Sequence, residues 1–297
     1  MGVAINEVAV RHFRRQGWVR VPALHSRSQI DTLLATMAKG FADPPDVNET
    51  YGAASPKTPG DVVSNDARDG VLLTVRELQL YHADVRPVCL DPRVGAIIRA
   101  LLGADQVRLF SEAYLDKPPG GPPTPWHQDW PLQPFDRRDT VNCWVALDHV
   151  AMDQGPLQVV SGSHRLGPLY KPTDFSQQPP LDTMLSTEDR ELLWSLAGPE
   201  DQDIDGMPVH LAPFEAGDAV IFYGSAVHGA PGNETDRPRC AYSRAIISSE
   251  VRYTGMPYLR TDSVGLRPGQ PFDLPRYPVF ATEEAAGARA SSGESRT

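Results

Sequence analysis

The segment PWHQDWPL, residues 125–132, sets a histidine and an aspartate two positions apart between two tryptophans. On a β-strand, residues i and i+2 share a face. His127 and Asp129 are therefore expected to present an imidazole and a carboxylate side by side, with Gln128 turned away. With a second histidine from elsewhere they would make a 2-His-1-carboxylate facial triad, which leaves three positions of a ferrous ion open. His228 is the candidate: it ends the β-like run GDAVIFYGSAVH and is followed by Gly229, Pro231 and Gly232. Eleven residues on, Arg239 opens the strand-like RCAYSRAIIS. A guanidinium beside an iron site can grip a dianionic acid by a bidentate pair, which lysine does less well. Each signal has an ordinary alternative. The HxD pair can be a polar strand end, His228 a hydrogen-bonded turn residue, and Arg239 a solvated strand charge.

Taken with their surroundings, these residues resemble the phytanoyl-CoA dioxygenase family of Fe(II)- and 2-oxoglutarate-dependent oxygenases. The resemblance runs from FRRQGWVRVPAL near the start to the strand ending at Ile247. Its most specific segments are YLDKPPGGPPTPWHQDW, NCWVALDHVAMDQGPLQVVSGSH and HGAPGNETDRPR. It implies that His127, Asp129 and His228 bind iron at the catalytic centre, and that Arg239 binds the C5 carboxylate of 2-oxoglutarate. It also implies that Trp144 walls the co-substrate pocket and that Arg76, in LTVRELQLY, reaches the same co-substrate. Lys117 falls at a motif position in DKPPGG and is expected to anchor the turn before the metal strand. With Fe(II), 2-oxoglutarate and O2, the implied reaction hydroxylates an unactivated C–H bond of a small molecule and releases succinate and CO2. Asp129 fills the place that halogenating relatives leave open for chloride, so chlorination is not expected. The alternatives are an acyl-CoA hydroxylase, or a cupin-type barrel that binds a ligand without catalysis.

The elements that must position these side chains fall into two halves. Apolar spacing predicts helices over 5–16, 29–41 with Ser28 as cap, and 92–102 with Pro92 in the first turn and Gly103 past the end. From residue 106 short runs rich in β-branched and aromatic residues alternate with turns: QVRLFSEAYL, TVNCWVALDHV, PLQVVSGSH, HLAPF, DAVIFYG and RCAYSRAIIS. The expected class is α+β: a double-stranded β-helix (jelly-roll, cupin-like) core with packing helices from the N-terminal part. One domain is expected over 1–280, with helices in 1–104, the core in 105–250 and an extension in 251–280. The tail 281–297 lacks large apolar residues and is expected to be disordered. The Pro- and Gly-rich stretch 42–70 reads as a long loop and a candidate lid. Trp126, Trp130, Phe135 and Tyr223 are candidate walls of a substrate pocket. Asp153 and Gly155 are expected in a turn, and Ser161 to Ser163 in a tight loop end. His164 is expected to support that loop without touching iron, and His12, His25, His82, His149 and His210 to be satisfied or exposed.

The bulk numbers narrow the classes. Among 297 residues 40% are hydrophobic and 22% charged, ordinary globular usage. A net charge of −10 disfavours nucleic-acid binding, which needs clustered lysine and arginine, and offers no cluster for CoA phosphates. Three widely spaced cysteines, Cys89, Cys143 and Cys240, read as reduced thiols. No stretch has the length and apolarity of a leader or a membrane span. A soluble cytoplasmic protein acting on a small molecule is expected, and the sequence specifies no oligomeric state.

Overall fold

The computed structural model describes residues 5–43, 72–169, 181–262 and 264–282. Most of the 42–70 stretch and of the 281–297 tail therefore lies outside the described residues.

Helix α1 (Glu7–Gln16) is capped by the Asn6 side chain and stopped at Gly17, whose φ of 86° only glycine adopts without strain. The chain turns there into β1 (Trp18–Val21), followed by α2 (Arg27–Ala42). The cap of α2 is Ser26 and not Ser28: Ser26 and Gln29 form a reciprocal capping box, which satisfies two backbone donors where Ser28 would satisfy one. Helix α3 (Pro92–Leu102) begins after the Asp91 cap and ends at Gly103.

Strands follow: β2 (Leu73–Arg76), β3 (Val107–Lys117), β4 (Thr124–His127), β5 (Thr140–Ala146), β6 (Gln158–Val160), β7 (Gln202–Ile204), β8 (Met207–Leu211), β9 (Ala219–Tyr223), β10 (His228–Ala230) and β11 (Arg239–Ser248). Among the described residues they form a six-stranded sheet, β1-β9-β5-β11-β3-β2, and a five-stranded sheet, β4-β10-β6-β8-β7, with antiparallel pairing throughout. Two such sheets with helices on one of them make the α+β jelly roll expected from the pattern. Strands β2, β4 and β7 and helix α4 (Thr187–Leu196) are too short or too polar to have been read from periodicity.

Period-two alternation divides the large sheet into two buried faces. Val141, Cys143 and Val145 of β5, with Ile221 of β9 and Tyr242 of β11, pack under α1, α2 and α3. Trp144, Ala146, Val220, Phe222 and Ala241 point the other way and meet Val159 of the small sheet. The inner faces of the two sheets enclose the site, and the helices hold the large sheet rigid from behind.

Candidate metal centre

His228 opens β10 and lies directly opposite His127, the last residue of β4. This antiparallel pairing places the two imidazole rings 4.0 Å apart, centroid to centroid. Asp129 arrives differently from the expectation. The strand ends at His127, and Asp129 has helical backbone angles (φ −79°, ψ −40°) where the chain enters the 3-10 turn Trp130–Leu132. Trp130 N–H donates to Gly224 O at 2.8 Å and pins this turn to the end of β9. A strand end and a turn, not a two-residue strand repeat, bring the carboxylate beside the imidazoles.

The ligand atoms of His127, Asp129 and His228 all lie within 4.8 Å of one another. His127 Nε2 is 3.5 Å from Asp129 Oδ1, and His228 Nε2 is 3.7 Å from Asp129 Oδ2. The other ring nitrogens face backbone carbonyls: His127 Nδ1 to Pro125 O at 2.8 Å, and His228 Nδ1 to Ala226 O at 3.1 Å. A neutral imidazole that donates through Nδ1 carries its lone pair on Nε2, so both rings are tautomerically set to ligate toward Asp129. Burial opposes ionisation of Asp129, but His228, His127 and Asn142 outweigh it and hold the carboxyl below the usual range. Burial, then His127, pulls His228 down to about 4, so it is neutral near pH 7. An ionised carboxylate and a neutral imidazole are the forms a divalent metal requires. The donor set, its spacing and its tautomers fit a ferrous facial triad.

Asn142 was not anticipated. Its Nδ2 donates to Asp129 Oδ2 from the inner face of β5 and fixes the carboxylate's rotation. The signal was present: Asn142 is an amide within TVNCWVA, a strand buried at every position, and buried amides are kept only with a partner. Gln128 does turn away from the site. It is buried, donates to Ser225 O at 2.8 Å and accepts from Leu169 N–H at 3.0 Å.

Two positions along β5 from Asn142, Trp144 faces inward, and the Arg239 guanidinium sits 5.8 Å from its ring centroid. Arg239 is 3% exposed; its Nε donates to Gly155 O at 3.1 Å, and its Nη1 is buried without a partner among the described residues. A buried guanidinium nitrogen of this kind suits a carboxylate, which it can grip by a charge-assisted hydrogen bond. Arg76 lies in the same inner row but farther off, across Ala113 of β3 and Ser243 of β11 from Trp144.

The four candidate pocket aromatics pack into side-chain clusters. Trp126 lies against the cluster around Val209 and Leu166. Trp130 and Phe135 join Phe110, Phe272 and Tyr277, where the C-terminal segment folds back. Tyr223 stacks on His164 at 5.1 Å, so both support the fold. His210 stacks on Trp18 at 3.8 Å, and His25 meets the buried Arg244 at 2.9 Å.

The family model described as phytanoyl-CoA dioxygenase (PhyH) matches residues 13–241. The peroxisomal phytanoyl-CoA dioxygenase of Rattus norvegicus is 28% identical over 211 residues, covering 66% of this chain and 58% of its own length. The methylphosphonate hydroxylase of Gimesia maris is 26% identical over 239 residues, covering 80% and 79%. The chain thus spans little more than half the length of the rat relative. Among solved structures, the epimerase SnoN in complex with Fe3+, alpha ketoglutarate and nogalamycin RO superposes with a TM-score of 0.69. The two are 24% identical, with 93% of this chain and 98% of that one covered, a likeness of fold.

Proposed function

The chain belongs to the phytanoyl-CoA dioxygenase family, and on that premise we propose that it is an Fe(II)- and 2-oxoglutarate-dependent oxygenase that hydroxylates a small organic molecule. The balanced reaction is R–H + 2-oxoglutarate + O2 → R–OH + succinate + CO2. The observation that carries the reading is the convergence of His127, Asp129 and His228 with both histidines turned to present Nε2.

Bound iron supplies the O2 activation that couples decarboxylation of the keto acid to C–H oxidation. The protein's part is to bind, orient and exclude water. His127, Asp129 and His228 would hold the metal through three protein ligands, a set that would leave it able to take the keto acid and O2. Asn142 keeps the carboxylate from rotating. Arg239 takes the far carboxylate, Trp144 walls its pocket, and Arg76 reaches the same co-substrate from the sheet edge. Asp129 would fill the place that halogenating relatives leave for chloride, so hydroxylation or another oxidative outcome is assigned and chlorination is not.

The family's relatives carry names as different as phytanoyl-CoA dioxygenase and methylphosphonate hydroxylase. That range supports a small-molecule substrate without fixing one. A cytoplasmic location is proposed from the three cysteines, which are all free. No described helix is long and apolar enough to cross a membrane.

The test is O2-dependent succinate release. Fe(II)-loaded protein should form succinate from 2-oxoglutarate in air and not under argon. A small-molecule screen should then find a compound that raises the rate and gains one oxygen atom. No O2-dependent succinate with any compound would overturn the reading.

A further inference from the structure

Lys117, the last residue of β3, stands directly opposite Arg239, the first residue of β11. Directly opposed residues of an antiparallel pair share a face, and like charges in that position destabilise a sheet. Both side chains are buried, Lys117 at 0% exposure and Arg239 at 3%. Among the described residues no carboxylate lies within ion-pair distance of either. Buried charges are retained where something pairs with them. Asp116, beside Lys117, feels the charge of Arg239 from beyond ion-pair distance, so among the described residues no anion contacts these two adjacent buried cations.

Gly155 holds the two together. Its carbonyl accepts from Arg239 Nε, and its φ is +70°. A Cβ at this position would come within 2.9 Å of both Lys117 Cδ and Pro231 O, so the lysine stem occupies the space a side chain would fill. Lys117 Nζ donates to Pro231 O at 2.7 Å, in the connection that leaves His228 for β11. An ammonium has three donors, so this bond leaves two for a ligand. Burial, then Arg239, pulls the ammonium down to about 7, and a bound carboxylate acts in the opposite direction.

We propose that Lys117 is a second cation of the pocket in which Arg239 receives the far carboxylate of the keto acid, making that pocket selective for dicarboxylic 2-oxo acids. This rests on the oxygenase reading above and adds a residue to it. The competing role for Lys117 is a pin that only fastens the Pro231 turn.

Calorimetric titration of Mn(II)-loaded protein separates the two roles without turnover. The ligands are 2-oxoglutarate and 2-oxobutyrate, which offer a metal the same keto-acid head but differ in the far carboxylate. Lys117→Met should weaken 2-oxoglutarate by about tenfold or more, the usual loss for a hydrogen bond to a charged group, and leave 2-oxobutyrate unchanged. Lys117→Gln keeps a donor for Pro231 O but loses the charge, and should be as weak for 2-oxoglutarate as Lys117→Met. Recovery of 2-oxoglutarate binding in Lys117→Gln would overturn the proposal in favour of the pin. So would an equal loss of both acids, or loss of the fold in both variants. Wild-type protein that binds neither acid would instead count against the oxygenase reading itself.

Discussion

Asn142 decides how the candidate metal carboxylate is presented, because among the described residues it is the one side chain that ties Asp129 Oδ2 to the rigid centre of the large sheet. Partners of this kind typically contribute about 10–100-fold to metal affinity. Asn142→Leu, close in volume but without the donor, should weaken Fe(II) or Mn(II) binding by about that factor, read by competition with a chelating dye. Unchanged affinity would mean that the turn at Trp130 alone sets the carboxylate. Arg239→Lys should lower 2-oxoglutarate affinity about tenfold while leaving metal affinity intact, because a point charge cannot reproduce the guanidinium fork. Isothermal titration reads both quantities. At this scale the sequence was most legible where chemistry restricts residue type. Few side chains can ligate iron, so residue type made His127, Asp129 and His228 candidates, and the family resemblance supplied their roles. Asn142 and Gly155 did not stand out, because their roles exist only once β5, β11 and the loop before β6 are side by side.

The elements that carry these residues are themselves braced by buried polar ties. Glu77, just past β2, has a left-handed backbone (φ 59°) and pairs with Arg260 of the C-terminal segment at 3.1 Å. Both side chains are almost fully buried, and Tyr277 Oη donates to Arg260 O at 2.6 Å. The pair clamps the extension onto the strand that presents Arg76. Removing one partner of such a pair strands the other charge, so Arg260→Ala should cost about 3–5 kcal/mol in urea unfolding. Replacing both partners with apolar residues of similar volume should cost much less. A single-mutant cost under about 1 kcal/mol would show that water reaches Glu77. The N-terminal helices were readable because their start and stop signals are local: Gly17, Pro92 and Gly103 act within one turn of where they stand, whereas the cap of α2 lies at Ser26 and not at Ser28. The clamp was not readable, since nothing near Glu77 announces an arginine 183 residues away. Asp129 was misplaced for a similar reason. A strand stops where its partner stops, and β10 offers β4 only the stretch from His228 to Ala230.

In the whole molecule the same buried polar layer makes stability depend on pH. Burial, then the charge of Glu77, raises the Glu112 carboxyl to about 8, against 4.5 for an unperturbed side chain. Between those values the native state holds a proton that the unfolded chain has released. Stability therefore falls as pH rises from about 4.5 to 8, with a slope of up to about 1.4 kcal/mol per unit from this one group. Glu112→Gln should flatten that part of the profile, measured as urea midpoints at a series of pH values; an unaltered slope would place the titrating group elsewhere. The two-sheet architecture was legible from regular short strands following helices, whereas the partition into six and five strands among the described residues depends on long-range pairing that no local pattern encodes. All of it serves one point between the sheets, and anaerobic titration of the Fe(II)-loaded protein with 2-oxoglutarate in the visible range tests that point most directly. A metal-to-keto-acid charge-transfer band that saturates at one co-substrate per chain, and is lost in His228→Ala, is the expected result. No band in the wild type, or an undiminished band in His228→Ala, would contradict it.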